Sequence, residues 1–132
     1  MGAVNVSDRQ MGVAIVGCGL IGQKRARVLE PARLVACADV ALPRAQTLAR
    51  TVPGAVAFAD WREAITRPDV DIVIVATTNN ALAEITLGAV RAGKHVLVEK
   101  PAARSTAELG PVIEAAEQTG VRVRVGDRKS VV

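Results

Sequence analysis

Val13-Ala14-Ile15-Val16-Gly17-Cys18-Gly19-Leu20-Ile21-Gly22 is the stretch whose reading decides the fold. Four apolar residues, three of them β-branched, read as a short strand that stops at a glycine. The next six carry the spacing G-x-G-x-x-G and open a helical pattern that runs from Leu20 to Leu29 and halts before Pro31. The glycine spacing alone carries little information, since glycines recur by chance. Its place directly after a strand and at the start of a helix gives it meaning. In that setting Gly17 permits the tight turn, Gly19 lets backbone approach a pyrophosphate, and Gly22 lets the helix pack on the strand. The backbone N–H groups of the turn, those of Cys18, Leu20 and Ile21 included, and the positive end of the helix then face the diphosphate.

Asp39 extends this reading. It closes a second strand, Leu34 to Ala38, near the ~20-residue spacing at which an acid accepts hydrogen bonds from an adenosine ribose. A carboxylate there repels a 2′-phosphate, so NAD is favoured over NADP. Arg44, early in the next helix, is the residue that could still reach such a phosphate. The competing reading of Asp39 is a cap for that helix.

Working outward, strands and helices alternate along the chain. Leu42 to Arg50 reads as a helix broken by Pro53-Gly54, and Val56 to Phe58 as a weak third strand. Asp60-Trp61-Arg62-Glu63 has capping-box spacing and opens a short helix that reaches toward Pro68. Asp71 to Ala76 holds the apolar run Ile72-Val73-Ile74-Val75, a fourth strand, and Ala81 to Arg91 is a helix ended by Gly93. His95 to Glu99 is a fifth strand. Ser105-Thr106-Ala107-Glu108 is a second capping box, for a helix running to Gln118, and Val121 to Val125 is a sixth strand. Parallel neighbours need crossover connections, so the order predicts an α/β, doubly wound parallel-sheet Rossmann fold in three α/β/α layers.

Composition agrees and excludes alternatives. The 132 residues suit one domain, and half of them are hydrophobic. Phe58 and Trp61 are the only aromatic side chains, which disfavours a stacking platform for single strands. The net charge of +4 is spread from Arg9 to Lys129 without a dense run, so a solvated surface is expected and no nucleic acid. Cys18 and Cys37 lie in or beside strands, with no metal-ligand spacing, and no metal is expected. No apolar run spans a bilayer, so no membrane is expected and a reducing cytoplasm is the expected compartment.

Two further stretches, Val75-Ala76-Thr77-Thr78-Asn79 and Ala92-Gly93-Lys94-His95-Val96-Leu97-Val98-Glu99-Lys100-Pro101, decide the family. With the glycine turn and Asp39 they resemble the Gfo/Idh/MocA oxidoreductases, and the resemblance covers Val13 to Gly126. It implies hydride transfer between a nicotinamide cofactor and a sugar, polyol, inositol or nucleotide sugar. It places Ala76, Thr77 and Asn79 on the nicotinamide-ribose side, and brings Glu99, Lys100 and Pro101 to the nicotinamide ribose and substrate. Lys100 is the expected catalytic residue, because an ammonium beside the reacting oxygen stabilises a developing alkoxide. The resemblance also implies an often cis Lys-Pro peptide, a Cys18 without redox use, and a structural His95. Trp61 is expected to pack at the sheet edge near the adenine end. Thr78 and Leu82 depart from the family's usual Pro and His, so a polar contact near the substrate is missing.

Family members continue into an antiparallel substrate domain that supplies an Asp and an acid–base His and that commonly mediates homo-oligomer assembly. Here Gly126 is followed by Asp127-Arg128-Lys129-Ser130-Val131-Val132. That tail equals the translation of GAT CGG AAG AGC GTC GTG TAG, a common sequencing adapter. The expected organisation is therefore a dinucleotide-binding domain over 1–126 and a non-native tail over 127–132, with the substrate domain absent and turnover by this chain alone unexpected. The alternatives are a stand-alone, non-catalytic dinucleotide-binding or sensing module, which gives no reason for Glu99-Lys100-Pro101, and a CoA-binding domain, which needs no acid at Asp39.

Overall fold

A computed structural model describes residues 10–77, 79–99 and 106–125. Strands and helices alternate as β1 (Gly12–Val16), α1 (Leu20–Ala26), β2 (Arg33–Ala38), α2 (Leu42–Ala49), β3 (Val56–Phe58) and α3 (Trp61–Ile65). They continue as β4 (Ile72–Val75), α4 (Asn79–Arg91), β5 (His95–Val98), α5 (Thr106–Thr119) and β6 (Val123–Val125). All pairings are parallel, and the sheet order is β3-β2-β1-β4-β5-β6. The expected three-layer α/β fold is present.

Side chains alternate across a strand, so the central strands feed two cores. Ala14, Val16, Ala36, Ala38, Val73, Val75, Val96 and Val98 pack under α3, α4 and α5. Val13, Ile15, Leu34, Cys37 and Ile74 point the other way, under α1 and α2. Burial of both faces is why the strands read as continuous apolar runs. Small strand residues such as Ala14, Ala36 and Ala38 let the helices sit close.

Register is what positions the site. Phe58, Ala38, Val16, Val75, Val98 and Val125 form one row of partners across all six strands. The residues that follow this row, among them Gly17, Asp39, Ala76 and Glu99, therefore leave the sheet along one rim. The order reverses between β1 and β4, and in open parallel sheets ligands bind in the crevice outside that reversal.

Several boundaries differ from expectation. α1 ends at Ala26, with Arg27 as its C-cap, three residues short of Leu29. The last turn tightens instead, with Arg27 N–H bonding the Lys24 carbonyl and Val28 N–H the Arg25 carbonyl. α4 begins at Asn79 instead of Ala81, and α3 ends at Ile65, well before Pro68. At its start Asp60 does cap the helix, accepting from Arg62 N–H. Among the described residues Glu63 does not reach back, so the expected box is half formed. The second box, at Ser105 and Glu108, lies outside the described residues and side chains. No described helix is long and apolar enough to cross a membrane, and no metal-ligating cluster occurs among the described residues.

Candidate functional site

The glycine turn leaves β1 at Gly17, whose φ of +96° is open to glycine at little cost. Its N–H donates to the Ala38 carbonyl at 2.8 Å. A side chain here would also strike the backbone where β4 exits, 2.6 Å from the Ala76 carbonyl group and 2.7 Å from the Thr77 nitrogen. Gly22 faces inward, and a Cβ on it would fall on the Gly17 carbonyl oxygen. Both glycines are demanded by the fold itself.

Gly19 is different. It is the N-cap of α1 with φ −80° and ψ −157°, values open to any residue. A Cβ at Gly19 would meet nothing within 4 Å. Neither strain nor packing asks for glycine there, so the unfilled space in front of α1 is the feature left to explain. Leu20 and Ile21, the next two residues, are exposed, Leu20 to 79%. The first N–H groups of a helix have no carbonyl partner within it, so this end offers donors to an anion.

Asp39 is tied into the turn. One carboxylate oxygen accepts from Cys18 N–H at 2.8 Å and the other from Ala41 N–H at 2.8 Å. Ala41, not Asp39, is the N-cap of α2. The Cys18 N–H is thus committed to Asp39, and its side chain is fully buried. The Cys18 thiol lies 3.4 Å from the Ala38 carbonyl oxygen. Contact with Cys37, then burial, then the nearby Asp39 charge push that thiol far above its ordinary pKa, so it stays protonated and inert.

Beside Asp39 a cleft of about 130 Å³ is lined by Gly17, Asp39, Val40, Trp61, Thr77 and Ile85, among others. Val40 is 94% exposed at its mouth. Trp61 packs across onto α4, where a Cβ on Gly88 would meet its ring at 2.8 Å, and Arg62 lies over the ring at 4.7 Å. The ring therefore lies between the cleft beside Asp39 and helix α4. A larger open groove of about 530 Å³ runs between α2 and β3, and Arg50 is the one charged residue in its lining. Without converging polar groups it offers little chemistry.

On the other side of Gly17, Ala76 N–H bonds the Val16 carbonyl and Glu99 N–H bonds the Val75 carbonyl. The Glu99 carboxylate meets the Arg25 guanidinium, with Nε–Oε2 at 2.5 Å and Nη2–Oε1 at 3.1 Å. The Glu99 hydrogen bond outweighs burial and raises the Arg25 pKa above its ordinary value. Asn79 opens α4, though its side chain is not described. Lys100 and Pro101, expected to carry the chemistry and the turn, lie outside the described residues, as does Thr78. Leu82 is buried in the core under α4, as its apolar side chain requires.

Sequence reasoning missed two roles. Lys94 donates to the carbonyls of Arg67 at 2.8 Å and Val70 at 2.6 Å, tying the loop before β4 to the start of β5. Arg25 gave no signal, because its partner lies 74 residues away. His95 Nδ1 accepts from Arg122 N–H at 3.0 Å, a contact between the start of β5 and the segment before β6.

Residues 11–127 match the family described as "Oxidoreductase family, NAD-binding Rossmann fold". An inositol 2-dehydrogenase of Acidothermus cellulolyticus is 37% identical over 125 residues, covering 91% of this chain and 37% of that protein. Among solved structures, an NAD binding oxidoreductase from Klebsiella pneumoniae superposes with a TM-score of 0.77 at 29% identity, over 89% of this chain and 34% of its own. The WlbA dehydrogenase from Bordetella pertussis, solved with NADH and UDP-GlcNAcA, gives a TM-score of 0.81 at 25% identity, over 89% of this chain and 37% of its own. The chain spans 35% to 37% of the length of the inositol 2-dehydrogenases it matches.

Proposed function

Because the chain belongs to the Gfo/Idh/MocA oxidoreductase family, we propose that it is the cofactor-holding part of a dehydrogenase acting on a sugar, polyol, inositol or nucleotide sugar. The observation that carries this reading is the open space at Gly19, framed by two glycines the fold requires and tied to Asp39. The nicotinamide dinucleotide, when bound, supplies the hydride acceptor. Gly17, Cys18, Gly19, Leu20, Ile21 and Gly22 form the turn against its diphosphate, with Leu20 and Ile21 offering N–H groups.

Asp39 spends two of its roughly four acceptor positions on backbone N–H groups and keeps the rest for the adenosine ribose. Its charge opposes a 2′-phosphate, which supports NAD over NADP. The cleft by Val40, Trp61 and Thr77 is smaller than the roughly 300 Å³ of a whole-ligand pocket and suits the adenosine end. Ala76, Thr77, Asn79 and Glu99 lead from there to the nicotinamide end. Beyond it, Lys100 is the residue proposed to stabilise the substrate alkoxide, with Pro101 fixing its turn.

The names of the relatives, inositol 2-dehydrogenase and levoglucosan dehydrogenase among them, support the substrate class. Their greater length supports a parent enzyme with a further, substrate-shaping domain. A parent that assembles as a homo-oligomer in the cytoplasm belongs to the same reading. A non-catalytic sensing module has no support from the matches, which are oxidoreductases.

NADH titration, followed through the single tryptophan, Trp61, tests the proposal. Saturable binding, weakened roughly tenfold or more in Asp39→Ala, is the expected result. The same titration with NADPH should show weaker binding, and tight CoA binding with no NADH response would reverse the assignment. The chain alone is expected to bind NADH without oxidising inositol or glucose. Measurable NADH production from either would refute that part.

A further inference from the structure

Three bonds from outside the glycine turn hold its first residues. Gly17 N–H donates to the Ala38 carbonyl at the end of β2. Cys18 N–H donates to Asp39 Oδ2 at 2.8 Å. The Cys18 carbonyl accepts from Nε2 of Gln23, on α1, at 3.3 Å. Cys18 is thus held at both ends, by a carboxylate on one side and a side-chain amide on the other. A peptide group is planar, so a bond to one of its atoms orients the whole unit. The two peptides that meet at Cys18 are therefore both oriented, and the second leads into Gly19. There the backbone conformation is ordinary, no side chain caps the helix, and a Cβ would meet nothing within 4 Å. Gln23 also donates its backbone N–H to the Gly19 carbonyl at 3.0 Å, so it reaches the turn twice. Gln23 is exposed, and the Cys18 carbonyl is the partner its amide takes. Cys18 is wholly buried, and a buried N–H that loses its acceptor forfeits the water it gave up on folding.

We propose that Asp39 and Gln23 clamp Cys18 from its two ends and so position the turn for the cofactor, which makes Gln23 a positioning residue and gives Asp39 a task separate from the ribose. The inference rests on the cofactor reading above and goes beyond it: loss of the Asp39 charge alone does not convert this site to NADPH. Gln23 touches no cofactor atom in this account and acts through the Cys18 carbonyl.

The test is titration of the 132-residue chain and of Gln23→Met, Asp39→Ala and Asp39→Asn with NADH and with NADPH, unfolding midpoints being measured alongside. Gln23→Met keeps the length of the side chain without its donor. It is expected to weaken NADH and NADPH by the same factor, roughly threefold to tenfold, with the midpoint nearly unchanged. A glutamine that only decorates the surface predicts no change in either cofactor, and that result overturns the clamp. Asp39→Ala removes the charge and the clamp together, so NADPH should bind no tighter than to the unsubstituted chain. Asp39→Asn removes the charge but keeps one acceptor oxygen, which the buried Cys18 N–H takes while the half-exposed Ala41 N–H turns to water. It should therefore bind NADPH roughly threefold to tenfold tighter than Asp39→Ala does. NADPH binding that rises equally in both variants means that the carboxylate acts through charge alone, and refutes the proposal. Should Asp39→Ala fail to fold, Gln23→Met carries the test. If the unsubstituted chain binds neither cofactor, the cofactor reading fails first and takes this inference with it.

Discussion

At the residue scale, the three glycines of the turn separate what the fold needs from what a ligand needs. Gly22→Ala places a methyl group on the Gly17 carbonyl, and overpacking of this kind costs about 1–3 kcal/mol. Gly19→Ala meets open space at an ordinary backbone conformation, so its stability should stay within about 0.5 kcal/mol. Denaturant unfolding is expected to show that contrast, while NADH titration shows binding lost in both. Gly19→Ala that binds NADH normally would contradict the role given to the space. The G-x-G-x-x-G spacing made these positions legible from the sequence, because the motif is local. The bond from Cys18 N–H to Asp39 was not legible, since it depends on the β1–β2 register that sets Val16 opposite Ala38. Arg25–Glu99 joins residues 74 apart and has no local pattern at all.

At the element scale, Lys94 ties the segment after α3 to the head of β5 by bonding two carbonyls. Lys94→Met keeps the aliphatic stem but leaves both carbonyls without that donor, and should cost about 1–3 kcal/mol in a thermal or denaturant melt. The family-like Gly-Lys-His run was legible as a sequence pattern, yet its physical role was not, because both partners of Lys94 are backbone oxygens that no motif encodes. Helix ends were the other weak point: the hydrophobic period of α1 continues to Leu29, while the helix closes at Ala26 in a tightened turn. Nearby, Arg67 holds the Asp69 carboxyl below its ordinary pKa, chiefly through their hydrogen bond. A depressed folded-state pKa adds stability that is present above the unfolded value of about 3.9 and fades as pH falls through the folded one. Asp69 is largely exposed, so Asp69→Asn should flatten the acid side of the stability curve only slightly. A melt series from neutral to strongly acidic pH measures it.

At the scale of the whole molecule, six strand ends on one row make the rim a single ligand-facing edge, and a ligand there should stabilise everything behind it. NADH at about 100 times its Kd is expected to add about 2.7 kcal/mol to unfolding, read as a rise in melting temperature. Alternation of apolar strands with helical patterns made this architecture legible in the sequence, since both sheet faces must be covered. The two thiols give the same molecule an internal clock. Cys18 and Cys37 are free and wholly enclosed beneath the turn and β2, so a thiol reagent reaches them only when that region opens. Where reclosing outpaces the reagent, the labelling rate measures the open fraction of the glycine turn. Modification should thus be slow in the native chain and slower still with NADH, timing the cofactor's grip without any tag or substrate.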